Sequence, residues 1–375
     1  MGRTSAPRLP PTWSDVLLLV ACHRLATDHV PLAGPLPAAQ WEQLLRAAQL
    51  ERLTGLLNAT IVDGALPVTD EQRQAALAVH RHATLLNLAL EGVLVDAVGV
   101  LDRAGIDHRV LKGPSVARLD HEEPGLRCFT DVDLLVPSQQ LDAVIARLSE
   151  AGLTRSDRQL RTGFDQHFGK GATLLTNEGL AVDVHRTLVR GPFGLLVHLD
   201  DLWQDPVRFD IAGHELRALP AEVRLLSVCF HAALGDIPAR LGPLRDVAEL
   251  ALGGRAADVR VLQLAASWRA EAVVVRALTL AWSALGLTTE VPLVEWARRW
   301  SPSRWDRRMI DHYVDPTRSL LGNSLTMLRV IPGAGSKAAY LRAIAFPDAA
   351  YLEHRGLGTV GHWRRLSLPW RHPNP

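Results

Sequence analysis

The chain changes its hydrophobic period twice, and the middle segment decides what it can fold into. Up to about Ala104, apolar residues recur three and four apart. Trp41, Leu44, Leu45 and Ala48 share one face, and Leu86, Leu90, Val93, Leu94, Ala97 and Leu101 share a longer one, the mark of amphipathic helices. Breaks fall at 31–37 and 64–67, and Thr69 or Asp70 is placed to cap the next helix. After Gly105 the pattern becomes short and strand-like. His108–Leu111 runs into Lys112-Gly113-Pro114-Ser115 and a short helix over 116–119. Thr130–Val136 is then a strand ended by Pro137, and Gln139–Ala151 an amphipathic helix stopped by Gly152. Two hairpins follow, 173–176 with 180–185 and 207–211 with 215–219, each around a glycine-containing turn. From Pro220 to about Leu285 the pattern is helical again.

This order predicts an α+β chain with a small mixed sheet between two helical regions: 1–104, opening with a loose leader over 1–12; 105–219; and 220–375. Seven of the ten tryptophans lie from Trp268 onward, so the irregular last stretch is expected to pack.

Composition narrows the class without naming it. A 47% hydrophobic and 22% charged content is that of an ordinary globular protein. The net charge of +1 gives no global attraction to nucleic acid or membrane. Three widely spaced cysteines, Cys22, Cys128 and Cys229, argue against a disulfide framework and for a reducing compartment. The apolar runs near 15–25 and 272–287 are short and interrupted by charge, and the first residues lack the order of a signal peptide. A cytoplasmic protein with no membrane partner is expected.

Chemistry concentrates in Thr130-Asp131-Val132-Asp133-Leu134. On a strand, residues two apart point to one face, so both carboxylates project together while Val132 and Leu134 enter the core. Two such charges about 4 Å apart repel by roughly 4 kcal/mol at an effective dielectric near 20. The pair therefore needs a cation, a shared proton or good solvation. All-oxygen ligands suit Mg²⁺. Asp183, in Ala181-Val182-Asp183-Val184-His185, adds a third acid if its strand neighbours the first, and His185 shares its face. Lys112-Gly113-Pro114-Ser115 lies between strand and helix, where a glycine lets backbone N–H groups approach phosphate; the same segment also reads as a plain helix start. Arg127 serves equally well for a phosphate or for pairing an acid. His167 reads as structural. His231, Arg245 and Asp246 are placed to form a polar cluster facing the sheet, but helix ion pairing explains them adequately; Arg364 and Arg365, with Trp363 and Trp370, offer charge and stacking to RNA, but read better as a packed tail with solvated arginines.

The ordered series Leu111-Lys112-Gly113, Arg127, Thr130–Val136 and Val182–His185, followed by the Gly213 hairpin, His231 and Leu244-Arg245-Asp246, resembles the uncharacterised nucleotidyltransferase family of the DNA polymerase β-like superfamily. The resemblance implies a nucleotidyltransferase core with flanking helices. It also implies Mg²⁺-dependent transfer of a nucleoside monophosphate, AMP favoured, from an NTP to a hydroxyl of an acceptor: a metabolite, a peptide or protein, or tRNA. Asp131, Asp133 and Asp183 match the acids that hold two Mg²⁺ ions. Lys112, Gly113 and Ser115 match the phosphate turn, here Lys-Gly-Pro-Ser instead of the usual Gly-Ser. Arg127 and His185 are added as nucleotide-binding candidates from their own positions; His185 reads also as a structural histidine or as one that positions Asp183. The competing class is an inactive nucleotide-binding module serving a partner enzyme. An unrelated metal-dependent hydrolase ranks last, because no His/Asp cluster is apparent.

Overall fold

The structure is a computed structural model of the 375-residue chain and describes residues 13–30, 32–315, 320–358 and 361–363. The leader over 1–12, Arg364, Arg365 and Trp370 lie outside the described residues.

Thr69 caps the helix Asp70–Arg103: its hydroxyl accepts from the Gln72 N–H while the Gln72 side chain accepts from the Thr69 N–H. This capping box fixes where the long helix begins. One stripe of it, Leu90, Leu94, Ala97, Val98 and Leu101, is buried with sheet residues. By length and composition alone the same helix would also be long and apolar enough to cross a membrane.

Among the described residues, seven strands make one mixed sheet: β1 (Arg109–Val110), β2 (Asp131–Leu135), β3 (Thr154–Arg155), β4 (Gly171–Leu175), β5 (Ala181–His185), β6 (Val207–Ile211) and β7 (His214–Ala218). Their order is β3-β4-β5-β2-β1-β7-β6. β2 and β5 run parallel in the centre, with Asp133 opposite Asp183 and Leu135 opposite His185. β1 flanks β2 and β4 flanks β5, both antiparallel. Both hairpins predicted from the sequence are present. The two-residue strand β3 was not anticipated, since so short a segment carries no period.

The sheet separates two apolar layers. Val110, Val132, Leu134, Val182 and Val184 pack with the helices Asp70–Arg103 and Leu141–Glu150. On the other side Leu111 and Leu135 join a larger core, built from N-terminal helices and from Ala221–Phe230, Leu241–Leu252 and Glu271–Leu285. The acids share this second face, so they sit under helices from both ends of the chain.

Gly171 shows how tightly β4 is held against β5. A Cβ there would lie 1.8 Å from the Val184 carbonyl oxygen, and the residue's φ is +154°. Gly171→Ala is expected to cost about 3 kcal/mol, the upper range for overpacking, read from urea unfolding. Gly92→Ala, in the long helix with nothing near the added methyl, should instead gain up to about 1 kcal/mol. Equal midpoints for the two variants would refute the close β4–β5 approach.

Candidate active site

Parallel pairing of β2 with β5 brings together acids fifty residues apart in sequence. One ligand atom each from Asp133, Asp183 and His185 lie within 4.8 Å of one another. Asp131 shares their face at the start of β2 and is half-buried, outside that tightest group. Asp133 is only 1% exposed, which removes solvation as the answer to its charge.

Two neighbours supply that answer in part. Lys112 Nζ lies 2.9 Å from Asp133 Oδ2, and His185 Nε2 lies 2.8 Å from Oδ1. Each carboxylate oxygen of Asp133 thus has one close nitrogen partner, and among the described residues neither oxygen is reached by a second donor. Burial opposes ionisation of Asp133, but the Lys112 ammonium and His185 outweigh it and hold the carboxyl well below its usual range. Burial likewise lowers the Lys112 pKa, while Asp133 and Asp131 raise it to a net value above the ordinary one. For His185, burial and then Lys170 favour the neutral imidazole over the opposing pull of Asp133.

Asp183 is oriented from β4. Thr173 donates its hydroxyl to Asp183 Oδ1 at 2.5 Å, and Lys170 Nζ stands 3.7 Å from Oδ2. Burial, with Lys112 nearby, pulls the Lys170 pKa down despite Asp183 and Asp133. The sequence reading missed both residues. Their only signal was Lys170 between two glycines immediately before a strand.

Gly113 occupies φ 61°, ψ −115°, which side-chain-bearing residues rarely adopt, and starts the helix Pro114–Leu119. Lys112 thereby leaves the end of β1 and reaches across to β2. Ser115 is fully buried, its hydroxyl donating to the Lys112 carbonyl at 3.4 Å. Arg127 forms a two-pronged pair with Asp246, Nε to Oδ1 and Nη2 to Oδ2 both at 2.8 Å, and donates from Nη1 to the Gly113 carbonyl at 3.1 Å. It braces the turn from the helix Leu241–Leu252. Asn87 of the long helix holds the same loop: its Nδ2 donates to the Arg127 carbonyl and its Oδ1 accepts from the Phe129 N–H, both at 3.2 Å. His231 is partly buried, and burial together with Lys112 holds it well below the usual imidazole pKa. Arg245 spends its guanidinium on Glu249 and on the Ala21 and His23 carbonyls, away from the acids. His167 lends its carbonyl to Arg186.

The residues present fit a divalent cation. Two carboxylates and an imidazole converge, with one ligand atom from each within 4.8 Å of the others, a donor set that a divalent cation could share in place of the Lys112 contact. The Asp131 and Asp183 oxygens suit Mg²⁺; the His185 nitrogen also suits Mn²⁺-type ions.

Among known proteins, a family model described as an uncharacterised nucleotidyltransferase matches residues 37–286. No curated protein matches. Three solved structures have low overall similarity. The antibiotic-resistance factor ANT(2'')-Ia shares 13% identity at TM-score 0.35, over 48% of this chain and 90% of that one. Lincomycin-bound lincosamide antibiotic adenylyltransferase LnuA shares 15% at 0.30, over 42% and 93%. An antigenic nucleotidyltransferase-like protein from Paracoccidioides brasiliensis shares 15% at 0.30, over 50% and 94%. With a family match over most of its length and the acids of β2 and β5 side by side, the chain belongs to the uncharacterised nucleotidyltransferase family and is an enzyme of that transferase class.

Proposed function

We propose that the protein transfers AMP from ATP to a hydroxyl of an acceptor in a Mg²⁺-dependent reaction. The observation that carries this reading is the convergence of Asp133, Asp183 and His185 within 4.8 Å of one another on the paired strands β2 and β5. Asp131, Asp133 and Asp183 would hold two Mg²⁺ ions, which when bound supply charge neutralisation for the phosphates and acidify the attacking hydroxyl.

The chain's own residues do the rest. Asp183, fixed by Thr173 and Lys170, accepts the acceptor's hydroxyl proton. The hydroxyl oxygen forms a bond to the α-phosphorus as the bond from that phosphorus to the β-phosphate bridging oxygen breaks, its electron pair leaving with pyrophosphate. Lys112, freed from Asp133, meets the leaving negative charge. The Gly113 turn, braced by Arg127 and by the buried Ser115 hydroxyl on the Lys112 carbonyl, sets the position of Lys112, while His185 lies beside the acids at the nucleotide's edge.

The test is incubation with Mg²⁺ and each α-labelled NTP, with and without cell extract. Label transfer from ATP above the other NTPs, with pyrophosphate released, is the expected result. Tight NTP binding with no transfer in any extract would replace the enzyme with a binding module.

A further inference from the structure

On the Asp183 side of the carboxylates the sheet face opens into a cavity of about 600 Å³. Thr173, Lys170, Asp183 and His185 form its inner end. Its far wall comes from the chain beyond residue 286, where the family match stops: Tyr313, Met327, Tyr340 and Ile344 all line it. Three rings join that wall to the sheet edge. Phe164 stacks on Tyr340 at 6.0 Å between ring centres, and Phe168 meets Tyr340 edge-on at 5.3 Å. Lys112, Gly113 and Ser115 line no part of the cavity; they lie past β2, on the β1 side.

We infer that this cavity holds the acceptor, a small hydroxyl-bearing molecule with an aromatic or aliphatic body, and that the C-terminal helices select it. The inference rests on the nucleotidyl-transfer reading. Attacking and leaving oxygens stand on opposite sides of the phosphorus in such a displacement. With pyrophosphate leaving toward Lys112, the acceptor must arrive from the Asp183 side, and the cavity is what the structure provides there. Its volume falls within the range of roughly 300–1,000 Å³ that encloses a drug-sized molecule. Its rings and Met327 offer apolar contact, the usual source of affinity in such sites. Its ionic lining mixes signs, Arg158, Lys170 and Arg190 against Asp157, Asp165 and Asp183. A nucleic acid would call for a basic track instead.

The experiment uses the full chain with three probes, 2-naphthylethanol, 3-phenylpropanol and 2-cyclohexylethanol, and Mg-ATP. Met327→Trp fills the cavity from its far wall, Ile344→Phe does so more gently if the first variant folds poorly, and Leu341→Trp, on an exposed position, is the control. Saturation-transfer NMR should show at least one probe bound to wild type and to the control. It should bind at least about tenfold more weakly to the filled variants, a loss of about 1.4 kcal/mol, while ATP affinity stays unchanged. Failure of every probe to bind wild type, or equal binding by the filled variants, overturns the inference. So does a parallel fall in ATP affinity, which would assign the cavity to the nucleotide. Equal labelling of a macromolecule from extract by wild type and Met327→Trp overturns it too, while leaving nucleotidyl transfer standing. If wild type binds a probe but no NTP, the transfer reading itself has failed and the acceptor assignment falls with it.

Discussion

Replacing Asp133 with Asn is expected to cut AMP transfer by roughly 10³-fold, corresponding to about 4 kcal/mol of lost transition-state stabilisation, in a protein that still folds. The amide keeps the size of the carboxylate but carries no charge to hold a cation, and Asp133 is the acid that structure places deepest, in contact with both Lys112 and His185. Folding should survive because Lys112 still has Asp131 and Asp183 as attracting charges. Asp183→Asn should be as severe, since it removes the partner acid of the same cluster. Thr173→Val is expected to be milder, about 10–100-fold, as is usual when a group that orients a ligand is lost; its hydroxyl touches only Asp183 Oδ1 among the site's acids. The measurement is label transfer from α-labelled ATP at saturating Mg²⁺, with circular dichroism as the check on folding. Asp133→Asn with wild-type transfer would place the chemistry elsewhere in the molecule.

The acid-bearing strands were legible because two periodicities had to agree. Alternation put Asp131, Asp133, Asp183 and His185 opposite the valines and leucines of their strands, and the parallel register between β2 and β5 has Asp133 facing Asp183 as that alternation requires. The capped start of the long helix and both hairpins were legible for the same local reasons. What sequence could not supply was partnership over long separation. Arg127 gave no sign of choosing Asp246, 119 residues away. Asn87 looks like any polar residue on a helix until the loop before β2 comes to lie on it. Lys170 and Thr173 enter the site only because β4 pairs with β5, and the glycine that permits the pairing reads in isolation as a turn residue. The cavity is the extreme case. Its wall is contributed by Phe164 and Phe168 on one side and by Met327 and Tyr340 on the other, with no shared motif to announce that they meet.

Asp246→Asn is expected to destabilise the protein by about 3–5 kcal/mol, the cost of breaking a buried ion pair and leaving one charge without its partner. Both side chains of the Arg127–Asp246 pair are largely withdrawn from water, and His121 Nε2 lies 3.0 Å from the same carboxylate. The asparagine cannot neutralise Arg127, which stays charged at any working pH. Replacing both members, Arg127→Met with Asp246→Leu, should recover most of the lost stability, because apolar residues of similar size pay no desolvation penalty. Transfer should remain impaired in that double variant, since the Arg127 donor to the Gly113 carbonyl is gone and the turn that positions Lys112 loses its brace. The pH dependence gives an independent reading. Burial alone would raise the Asp246 pKa, but Arg127 and His121 prevail and hold it below the usual carboxylate range. A depressed folded-state pKa means the pair's contribution is fully present above the unfolded value of about 3.9 and is lost as pH falls through the folded one. Urea midpoints measured from neutral pH downward should therefore drop more steeply below about pH 4 for wild type than for the double variant. Identical acid limbs in the two proteins, or an unchanged midpoint for Asp246→Asn at neutral pH, would show that the pair contributes nothing to holding the turn in place.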